Sequence, residues 1–405
     1  MAAQAQEEPA LDFEEARRIV IMAVRSLAVQ REPEVVSLDE AYGRILSENA
    51  LADRDYPAIR RSLRDGFAIR SSDVPGTLRV RGEVRAGDAP HQPLQSGEAL
   101  EIMTGASVPE GADAVVMIEN VARSGSSVQV DRPAEPGQFV NEKGAECRSG
   151  STLIAAGTRL DASHIATLAM TGKATISVIR RPSVAILATG DEIVAIDGKP
   201  AAHEIRNSNS HMLAALVRAT GGVPTILPVA RDAPDILRPL IEDGIKHSML
   251  VVSGGVSAGK YDFVKPGLRE FGAHFHFERV RVQPGQPTVF GTVANKPVFG
   301  LPGNPGSTLI TYQLFARPAL ELLAGITEPI LPLLSAKFEA PFRHKPGLTR
   351  FLPALLSADG EHLRHIPWQG SSDVPALAKA NGFLVADHDR ETWQPGDRIR
   401  VMLKQ

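Results

Sequence analysis

The chain has 405 residues, with 44 Lys plus Arg against 47 Asp plus Glu, a formal net charge of -3 and 43% hydrophobic residues. This is the usage of an ordinary folded protein of several domains, and its near balance of charge gives no global attraction to nucleic acid or to a membrane surface. A single cysteine, Cys147, excludes an intrachain disulfide framework and a multi-thiolate metal site, and no apolar run approaches the roughly 20 residues that span a bilayer. The acidic, polar start lacks the basic end and apolar stretch of a secretory signal, so a cytoplasmic location is expected.

In chain order, Phe13, Ala16, Ile19, Val20, Val24 and Leu27 recur at helical spacing behind Asp12, which predicts an amphipathic first helix capped by Asp12. Residues 52–149 change to short runs such as Leu78 to Val84 and Ala114 to Ile118 between Gly, Pro and Ser turns, the pattern of a β-rich domain. Asp161 to Gly172 reads as a short helix with Asp161 as cap and Gly172 as stop. From Arg181 strands and helices alternate: strand Val184 to Ala188, helix Asn209 to Thr220, strand Val223 to Val229, helix Asp232 to His247, strand Met249 to Val252 and helix Phe263 to Phe271. That alternation predicts a doubly wound, mostly parallel α/β sheet. Pro239 is expected to kink or break its helix. A last helix is expected over Thr308 to Leu323, and after Pro329 the strands Thr349 to Leu355 and Arg398 to Leu403 suggest a small C-terminal β-barrel. The expected division is 11–51 with 150–180 as a helical linker domain, 52–149 as the β-rich domain, 181–328 as the α/β domain and 329–405 as the barrel.

Ligands of a doubly wound sheet sit at the carboxyl ends of its strands. After the first such strand, Thr189-Gly190-Asp191-Glu192 places two carboxylates, which suit a hard cation such as Mg²⁺ or form an acidic helix start. After the third, Ser253-Gly254-Gly255-Val256-Ser257-Ala258-Gly259-Lys260-Tyr261-Asp262 is small enough for backbone N–H groups to cradle an anion, and Asp262 adds an acid. It is not a Walker loop, because Tyr261 follows the lysine. Leu301-Pro302-Gly303-Asn304-Pro305-Gly306-Ser307 is a rigid helix entry whose N–H groups favour a phosphate or carboxylate. Asp232 is a helix cap or a further ligand. In the β-rich part, Arg64-Asp65-Gly66-Phe67 and Met103-Thr104-Gly105-Ala106 each set a polar side chain beside a glycine. The 11 histidines lack the spacing of a zinc helix.

Together TGDE, SGGVSAGKYD, LPGNPGS and IMTGASVPEGADAVVMIE resemble the MoeA-type molybdopterin molybdenumtransferases, the family that includes gephyrin's C-terminal domain, over Leu11 to Val401. The resemblance implies an elongated homodimer of four-domain subunits, with a cleft between the α/β molybdopterin-binding domain of one chain and the β-rich domain of the other. It implies the last step of molybdenum cofactor assembly, in which adenylylated molybdopterin and molybdate give molybdenum cofactor and AMP with Mg²⁺. An adenylyltransferase and molybdoenzymes are the implied partners. Carried over by position, Asp191, Glu192 and Asp262 match the acids around metal and phosphate, and Asp232 a further one. Ser253, Gly254 and Gly255 would cradle phosphate, Pro302, Gly303, Asn304 and Pro305 would shape the pocket, and Ser371 would lie near the cleft. Asp65 and Thr104 would act from the facing subunit.

The chain departs from the family where lysines are usual, reading Gln283-Pro284-Gly285-Gln286-Pro287, and Arg279 and Arg281 are expected to compensate. Arg61 and Arg64 flank the Asp65 turn, and Asn207 replaces an aspartate before Ser208-Asn209. Two other readings compete with the transferase: a molybdopterin adenylyltransferase, against which the flanking β domains argue, and a non-catalytic scaffold or channelling subunit, against which the retained acids argue.

Overall fold

Strand Ser183–Ala188 alternates its side chains between two helical layers. Val184 and Ile186 pack with Leu213 and Val217, while Ala185 and Leu187 pack with Leu237, Ile241 and Leu268. A strand buried on both faces belongs inside a covered sheet. In this computed structural model, which describes residues 10–27, 31–89, 92–256 and 263–404, that strand lies second in a six-stranded sheet. The order is Val223–Ile226, Ser183–Ala188, Met249–Ser253, Lys296–Leu301, Val289–Val293 and His274–Phe277. The first four strands run parallel, Val289–Val293 runs against them and His274–Phe277 pairs antiparallel with it, which bears out the mostly parallel, doubly wound reading.

The helices are α1 (Phe13–Ser26), α2 (Ala162–Met170), α3 (Ser208–Thr220), α4 (Pro234–Gly244), α5 (Val264–Glu270), α6 (Pro305–Thr311), α7 (Arg317–Leu323) and α8 (Val374–Lys379). Asp161 caps α2, accepting from the His164 N–H at 3.0 Å, and Gly172 comes just after its end at φ 74°. Asp12 stands at the N-cap of α1 but does not cap it. Its carboxylate instead takes a bidentate pair from Arg281, at 2.9 and 2.7 Å, a charge-assisted fork that engages both oxygens. Pro239 does not break α4. It lies on the exposed face, where the carbonyl left without a donor meets water, while Leu237 and Ile241 on the other face pin the helix.

The expected helix from Thr308 starts three residues earlier, at Pro305, because proline suits the first helical position. α6 and α7 are joined by a π-turn over Tyr312–Ala316. Pro318, just inside α7, has no N–H to give to the Leu314 carbonyl one turn back. That carbonyl is satisfied from outside, by Arg17 of α1 at 3.1 Å. Arg17 also donates to the Pro329 carbonyl, and burial lowers its pKa to about 10.

Residues on either side of the β-rich unit come together as antiparallel pairs, Pro33–Ser37 with Thr175–Ile179 and Ala50–Leu51 with Thr152–Ile154. Ala41, Leu46, Leu160, Leu168 and Val178 form a core beneath them. The β-rich unit between is built on a six-stranded sheet, in the order Ala114–Met117, Gly66–Ile69, Glu98–Ile102, Gly76–Val84, Ser127–Val130 and Val121–Ser124, with a short antiparallel pair of Arg61–Ser62 and Val140–Asn141 beside it. At the C-terminus, Thr349–Leu356, His362–His365, Leu333–Phe338, Arg398–Leu403 and Gly382–Ala386 close into a five-stranded barrel. The expected C-terminal barrel is thus borne out. Val282–Gln283 of the α/β unit adds parallel to the barrel strand Thr349–Leu356, which sews the two units together beside Gln283.

Candidate active site

Four loops meet at the carboxyl ends of the parallel strands. The Thr189 N–H donates to the Ser253 carbonyl at 3.0 Å, and the Gly190 N–H to the Ala230 carbonyl at 3.1 Å. Asp191 Oδ1 accepts from the Asp232 N–H at 3.3 Å. The Gly254 N–H donates to the Leu301 carbonyl at 3.0 Å. Asp191, Glu192, Asp232, the Ser253–Gly255 loop and the 302–305 loop therefore share one edge of the sheet.

The glycines there answer to contact as well as to φ. Gly254 has φ 94°, and a Cβ on it would stand 2.6 Å from the Thr189 carbonyl oxygen. Gly255 has φ 63°, and a Cβ there would meet Thr189 Oγ1 at 2.7 Å. Only glycine lets this loop press against the first acidic loop. Asp262, with Ser257 to Tyr261, lies outside the described residues.

Burial first, then the Asp191 and Glu192 carboxylates, raise the Asp232 pKa above the ordinary carboxylate value. Among the described residues, no group of three or more His, Cys, Asp or Glu side chains is gathered closely enough to hold a metal ion. The repulsion among these three acids sets an expectation. The folded-state pKa of Asp232 is raised, so the native state holds its proton longer than the unfolded chain, and stability falls as pH rises through that value. Asp232→Asn is expected to melt slightly higher than the wild type near pH 7, with the gain vanishing below about pH 4, near the ordinary carboxylate pKa. Thermal melts from pH 3.5 to 8 check this; a gain that persists at the acid end would contradict it.

The 302–305 loop leads into α6, whose start meets the C-terminal loop. Of the helix-start N–H groups, that of Gly306 is already taken by the Ser371 carbonyl at 2.7 Å. The C-terminal loop thus docks on the start of α6, and a Cβ on Gly306 would stand 2.9 Å from that same carbonyl oxygen. Ser371 is brought to the sheet edge through its backbone.

Asp65 and Thr104 also come together, at the tip of the β-rich unit. Asp65 Oδ1 accepts from the Thr104 N–H at 2.6 Å and from the Thr104 hydroxyl at 2.8 Å. Those two bonds, the backbone one first, hold the exposed Asp65 carboxyl below its ordinary pKa. Arg64 lies over the Phe139 ring, 5.9 Å from its centroid. No hydrogen bond or ion pair among the described residues joins this tip to the strand-end loops of the same chain.

Around the glutamines, the Gln286 carbonyl accepts from Val280 and Thr288, and Gly285 packs so closely on Thr311 that a Cβ would meet its methyl at 2.4 Å. Arg281, one of the two arginines expected to replace the lysines, is held by Asp12. Arg279 is exposed, and its carbonyl accepts from Leu11.

The sequence reading missed Asn209. Its side chain is buried between the Ser253 and 302–305 loops, donating to Ser253 Oγ at 2.9 Å and to the Gly303 carbonyl at 2.6 Å. The polar run Asn207-Ser208-Asn209 at a helix start reads as capping, and its match to the family stretch points to Asn207 rather than Asn209. Asn207 alone does the capping, accepting from Ser210 N–H at 3.1 Å.

Interlocked acidic and glycine loops at the strand ends of a doubly wound sheet, joined to a β-rich unit and a barrel, define a multidomain α/β protein. Residues 185–322 match the family signature described as "Probable molybdopterin binding domain". Residues 11–172 match the MoeA N-terminal region (domain I and II), and 335–404 the MoeA C-terminal region (domain IV). The molybdopterin molybdenumtransferase of Bacillus subtilis (strain 168) is 32% identical over 388 residues, 92% of this chain and 90% of that one. That of Nostoc sp. (strain PCC 7120) is 37% identical over 321 residues, 76% of this chain and 74% of that one. The crystal structure of a molybdopterin biosynthesis MoeA protein from Pyrococcus horikoshii superimposes with a TM-score of 0.81 at 27% identity, covering 98% of this chain and 100% of that one. The chain belongs to the MoeA family of molybdopterin molybdenumtransferases, enzymes of molybdenum cofactor biosynthesis.

Proposed function

We propose that this enzyme carries out the molybdenum-insertion step itself, taking adenylylated molybdopterin and molybdate and releasing AMP. The observation that carries the reading is the convergence of Asp191, Asp232, Ser253–Gly255 and Gly303 on one sheet edge, a place suited to a phosphate-bearing substrate. The backbone of Ser253, Gly254 and Gly255 approaches the phosphate without side chains in the way, and Pro302, Gly303, Asn304 and Pro305 wall the pocket. Arg279 supplies positive charge where the family lysines are replaced. Asp65, held ionised by Thr104, accepts a hydrogen bond from substrate or orients molybdate from the facing subunit of a homodimer. The division into residues 11–51 with 150–180, 52–149, 181–328 and 329–405 is part of this proposal, supported by separate apolar clusters in the β-rich unit, beneath the strand pairs that flank it and inside the barrel, while Phe13, Val20 and Val24 of α1 and Phe351, Phe383 and Met402 of the barrel share one cluster with the α/β sheet.

Asp191, Glu192 and Asp262 would hold Mg²⁺, with Asp232 beside them. The hard oxygen donors and the raised Asp232 pKa fit a divalent cation, whose charge would relieve their repulsion and stabilise the phosphate leaving with AMP. Within the described residues no helix is long and apolar enough to cross a membrane. We place the enzyme in the cytoplasm, with a molybdopterin adenylyltransferase and molybdoenzymes as partners.

The test is AMP release from adenylylated molybdopterin by the purified protein with Mg²⁺, with and without molybdate, alongside Asp262→Ala. Molybdate-dependent release that drops at least about 100-fold in the variant is expected. Substrate binding without release in the wild type would sink the reading and favour the scaffold.

A further inference from the structure

We infer that Asn209 is a positioning residue, a latch that joins the Ser253–Gly255 loop to the 302–305 loop and so sets the width of the pocket between them. The inference rests on the reading of those loops as the walls of the substrate site.

Asn209 is the second residue of α3 and is 9% exposed. An amide nitrogen carries two hydrogens, and both are spent: one on Ser253 Oγ at 2.9 Å and one on the Gly303 carbonyl at 2.6 Å. Thr308 Oγ1 stands 3.3 Å from the same nitrogen, with its own proton given to the Pro302 carbonyl at 2.6 Å. One side chain therefore ties the loops after two neighbouring parallel strands. The helix does not need it, because Asn207 supplies the cap.

The other end of the amide sharpens the argument. Among the described residues the buried Asn209 Oδ1 has no hydrogen-bond partner, and neither has the buried Thr189 Oγ1 against the same glycine loop. Buried polar atoms without partners are rare in native folds and call for an explanation. Turning the amide over would not cure it, since Oδ1 would then face the Gly303 carbonyl oxygen at the distance Nδ2 now holds. The side chain keeps the orientation that ties the loops and leaves its acceptor without a partner among the described residues. This is the pattern of a residue kept for the placement of its neighbours rather than for its own hydrogen-bonding balance.

Asn209→Ala and Asn209→Asp separate this role from simple space filling. Aspartate has the shape of asparagine but offers no donor, and it sets an oxygen against the Gly303 carbonyl. Hydrogen exchange is read first, on the free protein. Both variants are expected to raise exchange in 253–256 and 301–308 together by about 10-fold, with α4 unchanged. In steady-state AMP release from adenylylated molybdopterin, both are expected to raise KM about 10-fold with kcat lowered less than about 3-fold. An Asn209→Asp protein whose exchange matches the wild type overturns the latch, as does faster exchange confined to the first turn of α3. The two readings fail separately: a wild type that releases no AMP removes the proposed reaction, while the exchange result alone decides the latch.

Discussion

Asp65→Asn is expected to lower turnover on the order of 100-fold or more while leaving the melting temperature near neutral pH almost unchanged. Asparagine can present its carbonyl oxygen where Asp65 Oδ1 now accepts from the Thr104 N–H and hydroxyl, so both bonds survive and only the charge is lost. If Asp65 acts through its charge, activity falls without structural change. If it merely closes the turn, the variant is silent. Thr104→Val is the companion: it removes the hydroxyl but keeps the backbone donor, so a smaller loss is expected. The acid limb gives an independent check. The folded-state pKa of Asp65 is lowered, so its contribution to stability is fully present above the ordinary carboxylate value and is lost as pH falls through the lowered one. The wild type is therefore expected to lose stability relative to Asp65→Asn as pH drops below about 4, the ordinary carboxylate value. AMP-release kinetics at neutral pH and melts taken down to about pH 2.5, below that value, read the two effects separately.

How much of this site the sequence shows depends on distance along the chain. Strand Ser183–Ala188, α3 and strand Met249–Ser253 are each written in a local pattern of apolar spacing and caps, so the α/β alternation and the loops at its strand ends are legible. So is each half of the Asp65–Thr104 pair, as a polar residue beside a glycine. Their hydrogen bond joins residues 39 apart, and nothing local records it. Asn209 is harder still, because its partners lie 44 and 94 residues away and its local setting looks like a cap. The same holds for Asp12. Its place before an apolar periodic run reads as capping, yet an arginine 269 residues on takes the carboxylate. Pro318 could be seen as a helix irregularity, but not that Arg17 would supply the missing donor. Long-range hydrogen bonds depend on which surfaces pack together, and a single sequence states that only through local signals.

Gly66→Ala, one residue from Asp65, is expected to destroy activity by the opposite route. Gly66 sits mid-sheet, paired with Ile102 on one side and Met117 on the other. A Cβ there would lie 2.0 Å from the Val116 carbonyl oxygen, 2.8 Å from the carbonyl carbon and 2.9 Å from the Met117 Cα. All three are backbone atoms of a paired strand, so no rotamer change can make room. Strand Ala114–Met117 must move away, taking Ala114 and Val116 out of the cluster with Phe67, Ile69 and Val128. A cost of about 3 kcal/mol or more is expected, at the upper end of overpacking penalties. This cluster is separate from the two that sandwich the α/β sheet, so the loss is expected to be confined to the β-rich unit. Calorimetry should show a new transition at lower temperature with the remaining unfolding little changed, and proteolysis should cut first within 52–149. A Gly66→Ala protein that melts as the wild type does would show that the sheet can absorb the methyl group. Set beside Asp65→Asn, the two variants separate the chemistry of this turn from its architecture: one keeps the sheet and loses the charge, the other keeps the charge and loses the sheet that presents it.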